Sequence, residues 1–229
     1  MATKRKRASA NVEAGVLERI RAKAIALFKA HGYHGASVRE LAQAVKIEAA
    51  SLYYHFPSKQ DILFDLFERT MDDLLGGLAQ ALASGATSEE KLCAVVRFHV
   101  LYHVAHQDEA FISHSELRSL SAQNRRRIVD KRDRYERMLR ALLAEGVHAG
   151  EFQIDDVRLT AIGILTMCSG VSDWFTGRGR LTAHKVAERY VDMVVRLVTN
   201  PRGASESKRP VARGLRRDRP ARTPYIPRA

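Results

Sequence analysis

The chain has 229 residues and a formal net charge of +12 at pH 7, which is enough length for one large domain or two modest ones with an ordinary core. Its two cysteines, Cys93 and Cys168, form no CxxC pair, which excludes a zinc ribbon and a disulfide scaffold. No apolar run approaches the ~18 residues of a membrane span, and none follows the basic start Lys4-Arg5-Lys6-Arg7, so neither a span nor a secretory signal is expected and the chain reads as cytoplasmic.

Apolar residues recur at three and four almost throughout, and no strand pattern persists, so the fold class is all-α. The first long helix carries Val16, Ile20, Ala24, Leu27 and Phe28, and His31-Gly32 stops it. Ser37 with Glu40 three residues on is a capping box that opens a short helix from Val38 to about Val45. Glu48 begins another through Tyr54, broken by Phe56-Pro57-Ser58. Ser58 then caps a long helix with Ile62, Leu63, Leu66 and Phe67, running to about Ala83. Thr87 or Ser88 caps the next, which places Leu92, Val95, Val96, His99 and His103 on one side. A short helix is expected over 109–119 and a strongly charged one from about Ala122 to His148, ended by Gly150. Asp155 opens an apolar helix that runs to Phe175. Gly177-Arg178-Gly179-Arg180 is a loop, and Thr182 caps the last helix, with Val186, Tyr190, Val194 and Leu197 on a face. This makes about nine helices with short connections. Residues 1–9 and 201–229, basic and poor in large apolar side chains, are expected to be a disordered arm and tail.

Charge is unevenly placed. Residues 1–60 hold 11 basic and 4 acidic side chains, residues 61–200 hold 18 and 20, and residues 201–229 hold 9 and 2. Basic ends around a near-neutral body point to a polyanion touched by part of the molecule. Helix 38–45, a short turn and helix 48–54 have the size of a helix-turn-helix, whose second helix enters a DNA major groove. That helix offers Ala49, Ala50, Ser51, Tyr53, Tyr54 and His55. The small residues allow close approach, while the hydroxyls and imidazole donate to phosphates or base edges. Lys59, beside the Ser58 cap, suits a phosphate grip.

Those residues carry a resemblance. Ala24-Ile25-Ala26-Leu27-Phe28, His31-Gly32-Tyr33-His34-Gly35-Ala36-Ser37-Val38-Arg39-Glu40-Leu41-Ala42 and Ser51-Leu52-Tyr53-Tyr54-His55-Phe56 with Lys59 and Leu63 resemble the DNA-binding end of TetR-family transcriptional regulators. The resemblance implies an N-terminal three-helix DNA-binding domain over residues 10–57. It also implies a larger helical ligand-binding and dimerisation domain over 58–200, a homodimer, and a palindromic double-stranded operator released by a small effector. It implies DNA contacts from Ser37, Arg39, Ser51, Tyr53, Tyr54, His55 and Lys59, with Leu27, Phe28, Leu41, Leu52 and Phe56 as core. The chain departs from the family at Lys46, where glycine is usual in the turn, and at Glu48, where serine or threonine is common. Lys46 adopts a left-handed turn at some cost but adds a possible phosphate contact.

In the body, Ser115-Glu116-Leu117-Arg118-Ser119-Leu120-Ser121, Asn124-Arg125-Arg126, Arg132-Asp133-Arg134-Tyr135-Glu136, Gly150-Glu151-Phe152, Met167-Cys168-Ser169-Gly170-Val171 and Trp174-Phe175 resemble regulators of lipid, sterol or acyl-chain degradation. That resemblance implies an acyl-CoA thioester as effector. A polyanionic nucleotide joined to an apolar acyl group suits a basic run beside an apolar helix. The candidate ligand residues are His99, His103, Arg118, Arg125, Arg126, Met167, Trp174 and Arg178. The same arginines also suit a solvated helix with i,i+4 acid–base pairs. His99, His103 and His106 have a spacing able to bind zinc, but the reading preferred is a polar wall of a ligand cavity, with no metal and no cofactor. Helices 155–175 and 182–199 are the expected dimer contact. The chain shows no nucleophile elbow, dinucleotide glycine pattern or paired carboxylates, so an acyl-CoA-handling enzyme is disfavoured. The other rival is a sequence-indifferent DNA-binding protein that uses its two basic ends.

Overall fold

In the computed structural model the backbone is described for residues 2–199 and the side chains for residues 13–199. These residues form ten α-helices and one 3-10 turn, with no strand among them. The helices are α1 Ala2–Gly35, α2 Val38–Val45, α3 Ala49–His55, α4 Lys59–Ala83, α5 Ser88–Ala105, α6 Gln107–Ser115, α7 Ala122–His148, α8 Val157–Ser169, α9 Val171–Trp174 and α10 Ala183–Thr199, with the 3-10 turn at Leu117–Ser119 between α6 and α7.

Local chemistry sets most of these bounds. The Ser37 and Thr87 hydroxyls accept from the backbone N–H of Glu40 and Glu90, whose carboxylates reach back, so both capping boxes are complete. The Ser58 and Ser121 hydroxyls cap α4 and α7. Gly32 breaks α1 at φ 69, ψ 163, a left-handed conformation that favours glycine. Beyond it, a last short piece of helix ends at Gly35, and Ala36-Ser37 leads directly into α2.

Two expectations are corrected. The arm 1–9 is helical from Ala2, because alanine, lysine and arginine are good helix formers and extending an existing helix needs no new nucleus. The apolar helix expected over 155–175 divides at Gly170 into α8 and α9, and its cap is the Asp156 carboxylate, which accepts from Leu159 N–H at 2.9 Å. The tail 201–229 lies outside the described residues.

Helices α1–α3 pack around Ile20, Ala24, Phe28, Leu41, Leu52 and Phe56, with Leu27 against that core. The long α4 carries this core into the second one through Ile62, Leu63 and Phe67. In the body α5 is central, packed by α4, α7, α8 and α10. No described helix is long and apolar enough to cross a membrane.

Candidate nucleic-acid interface and ligand chamber

Leu52 is fully buried and holds α3 on the small core, which turns the rest of that helix outward. Tyr54 is 78% exposed and Tyr53 49%. Ser51 is exposed beside them, and His55 is half-buried with its ring edge-on to Tyr54. Arg39, Ser37 and Lys46 are exposed at the neighbouring ends of α2. Lys46 ends α2 in the left-handed region, φ 61 and ψ 49, and is the only non-glycine residue of positive φ among the described residues. Its N–H still serves the carbonyls of Ala42 and Gln43, so the turn closes despite the side chain.

Lys59 is placed differently from its expected role. Its ammonium donates to the carbonyls of Tyr33 and Ala36, both at 2.8 Å, and lies 4.4 Å from the centre of the Tyr33 ring. Those carbonyls follow the break at Gly32 and have no helical partners, so the cation is drawn inward to them. Lys59 therefore fastens α4 to the turn before α2, rather than standing free for a phosphate.

The body holds a half-open chamber of about 260 Å³ bordered by α4, α5, α6, α7 and α8. Met71, Leu74, Ala110 and Leu165 form its apolar wall. His99, Tyr102, His103, Tyr135 and Ser169 form a polar one. His99 is buried, with Nδ1 2.8 Å from the Tyr135 hydroxyl and Nε2 2.9 Å from the Ser169 hydroxyl. Burial, reinforced by the adjacent His103, holds its pKa well below the ordinary histidine value, so the ring is neutral. His103 stacks on it, and its Nδ1 lies 2.9 Å from the His99 carbonyl. A carbonyl only accepts, so Nδ1 carries the proton and Nε2 is an acceptor. Through His114, Leu165 and Ser169 the chamber adjoins an outer groove that Phe111, Thr166 and Asp173 also line.

Of the sequence candidates for ligand contact, the structure brings His99 and His103 into this chamber. Arg118, Arg125, Arg126 and Arg178 are exposed, and none borders it. Met167 is half-buried outside it, and Trp174, 53% exposed, stands edge-on to Phe175. His106 stacks on Tyr102 and faces Glu109, away from His99. Burial raises the Cys168 thiol to about 12, so it behaves as a small apolar residue. The residue missed is Arg132, which lines the chamber and donates to the Ser113 carbonyl at 2.8 Å. Its signal was present in the sequence: Ile128, Arg132, Tyr135 and Leu139 follow the four-three-four spacing of one buried helix face. A second cleft, about 560 Å³ between α1, α4 and α6, is larger but strongly charged. Its arginines are already engaged, Arg21 by Asp65 and Glu18, and Arg69 by Glu18. The smaller, half-apolar chamber is the better ligand site.

The chamber and the N-terminal helices are mechanically joined. Helix α6, which lines the chamber, pairs with α1 through Asp108 and Lys29. Glu116 accepts from Tyr33 N–H at 3.1 Å. The Gln60 amide donates to the Ser119 carbonyl and the Tyr33 hydroxyl, and accepts from Ser121 N–H.

Residues 20–66 match the family described as bacterial regulatory proteins, tetR family, and residues 85–198 match the tetracyclin repressor-like C-terminal domain. The chain is 28% identical over 180 residues to the HTH-type transcriptional repressor KstR2 of Rhodococcus jostii strain RHA1, covering 78% of this chain and 88% of that one. It is 28% identical over 153 residues to the fatty acid metabolism regulator protein of Bacillus subtilis strain 168, covering 66% and 79%. Among solved structures it is similar to AibR in complex with isovaleryl coenzyme A and operator DNA, with a TM-score of 0.70 and 26% identity over 81% of this chain and 99% of that one.

Proposed function

The chain belongs to the TetR family of bacterial transcriptional regulators, and from that premise we propose that it is a ligand-responsive repressor. It binds a palindromic operator as a homodimer and is released by an acyl-CoA thioester of lipid or sterol breakdown. The observation that carries this reading is the set of bonds from α6, which lines the chamber, and the turn after it to the N-terminal helices. A ligand preferring another position of α6 changes the placement of α3, and with it the spacing of two recognition helices in a dimer. Ser51, Tyr53, Tyr54 and His55 enter the major groove, with Ser37, Arg39 and Lys46 on phosphates. The repressor and fatty acid regulator among the relatives, and coenzyme A ester and operator bound together by AibR, support an acyl-CoA effector for this chamber. The exposed apolar faces of α8 and α10 support dimerisation.

The test is fluorescence anisotropy of the full chain on DNA from upstream of its own gene and on random DNA at physiological salt. The expected result is a preference of about a thousandfold or more for the upstream DNA, lost on adding long-chain or steroid-type CoA esters. Equal affinity for both DNAs would contradict specific regulation. Release by free acids but not by CoA esters would contradict the thioester assignment.

A further inference from the structure

Arg132 occupies a place in the buried stripe of α7 otherwise filled by Ile128, Tyr135 and Leu139. Its guanidinium is therefore carried toward the chamber, while Arg126 on another face and Arg125, one heptad earlier in the first turn of α7, stand in solvent. Burial alone pulls its pKa down, the mark of a cation taken partly out of water. Two carboxylates also border the chamber, but Asp133 is exposed to solvent and Glu136 turns to Arg140 at 3.6 Å, and among the described residues Arg132 forms no ion pair. Its bond to the Ser113 carbonyl uses one of five donors. A half-buried cation without counter-charge is costly to keep, and an anion arriving in the chamber would offset that cost.

The bond it does make has a consequence. Ser113 lies in the last turn of α6, where carbonyls have no helical partners, so Arg132 caps that end of the helix. The next residues hold the DNA-facing domain: Glu116 through the Tyr33 N–H, and Ser119 and Ser121 through Gln60.

We infer that Arg132 binds an anionic group of the effector, and that the anion draws the guanidinium off the Ser113 carbonyl and loosens the end of α6 that is fastened to the DNA-facing domain. This rests on the reading of the chamber as the effector site. A planar guanidinium takes a nucleotide phosphate or a carboxylate in the same forked geometry, so the shared chemistry is an oxyanion and the test separates its sources.

The test is calorimetric titration of the full-length protein with three probes: octanoyl-CoA, octanoyl-pantetheine (the same thioester without phosphates) and octanoate. The proteins are the wild type, Arg132→Gln, Arg132→Lys, and Arg137→Gln as an equal loss of charge from the exposed side of α7. Glutamine still has a donor for the Ser113 carbonyl. Arg132→Gln is expected to weaken an anionic probe about 10- to 100-fold while leaving octanoyl-pantetheine unchanged. Arg132→Lys falls between it and the wild type, and Arg137→Gln matches the wild type. A loss confined to octanoyl-CoA assigns the phosphate, and a loss for octanoate assigns the carboxylate. If the wild type binds octanoate in an Arg132-dependent way but ignores octanoyl-CoA, Arg132 keeps its role and the thioester reading fails. If octanoyl-CoA binds wild type and Arg132→Gln equally, the thioester reading stands and the inference is overturned. Should the glutamine variant not fold, the lysine variant decides: charge without the fork weakens the anionic probes several-fold, and undiminished affinity overturns the inference. A wild type that binds none of the probes overturns both.

Discussion

Tyr54 projects from α3 with most of its surface in solvent, and its one aromatic neighbour is the His55 ring. Nothing in the fold requires a large aromatic there, so replacing it separates function from stability. Tyr54→Ala should weaken operator binding by about 1–2 kcal/mol with the melting temperature unchanged. Anisotropy titration beside a thermal melt checks this, and a large fall in melting temperature would give the ring a structural role. The chamber histidines are the opposite case. His99 and His103 have native pKa values below the ordinary one because of burial. Above about pH 6.5 folded and unfolded chains hold both rings neutral, and these rings contribute no pH dependence. Below it the unfolded chain takes up protons that the native chain refuses, so stability falls with pH, by up to about 1.4 kcal/mol per pH unit for each ring. Melting temperature should therefore drop between about pH 7 and 5.5, and His99→Gln should flatten the slope. A flat profile in the wild type would contradict the neutral buried state.

At the scale of elements, α4 and α5 meet so closely that Gly77 leaves room for the Phe98 ring. A Cβ there would lie 2.0 Å from Phe98 Cζ. Gly77→Ala should cost about 1–3 kcal/mol through overpacking, despite alanine's better helix propensity, and chemical denaturation measures it. Stabilisation would mean that the ring swings clear. Elements of this kind were legible in the sequence wherever a short-range bond sets them. Ser37 with Glu40, Ser58 and Gly32 each act within four residues, and of the two caps open at 87–88 the structure takes Thr87. Choices made by distant packing were not legible. Gly170 breaks an apolar run that periodicity alone continues. Lys59 turns to carbonyls 23 and 26 residues away. Among the arginines of α7 charge points to the run at 125–127, while the residue in the chamber lies between Ile128 and Tyr135 on the buried stripe. The proposed DNA surface was clearer because its candidates, Lys59 apart, lie on or at the ends of two adjacent short helices and at the surface. The ligand wall is assembled from five helices.

For the whole molecule, the open question of energetics is what covers α8 and α10. Leu159 is 66% exposed, Ile162 41%, Met193 45% and Leu197 54%. Charging that face, as in a Leu159→Glu, Leu197→Glu double variant, should shift the protein to monomers in sedimentation equilibrium and weaken operator binding, with the helix content retained. An unchanged mass would place the dimer contact elsewhere. The net charge of +12 takes its meaning at this scale too. The excess within residues 1–60 belongs to the domain that carries α3, so pairing two chains brings two basic ends to one side, where phosphates would lie. The central claim is that this dimer reads one operator and that the chamber controls the reading. The most direct measurement is footprinting of DNA upstream of the protein's own gene, with and without long-chain acyl-CoA. Two protected half-sites about one helical turn, ~34 Å, apart are expected, with protection lost when the thioester is added. Uniform coating of the DNA, or half-sites that stay protected at saturating thioester, would contradict it.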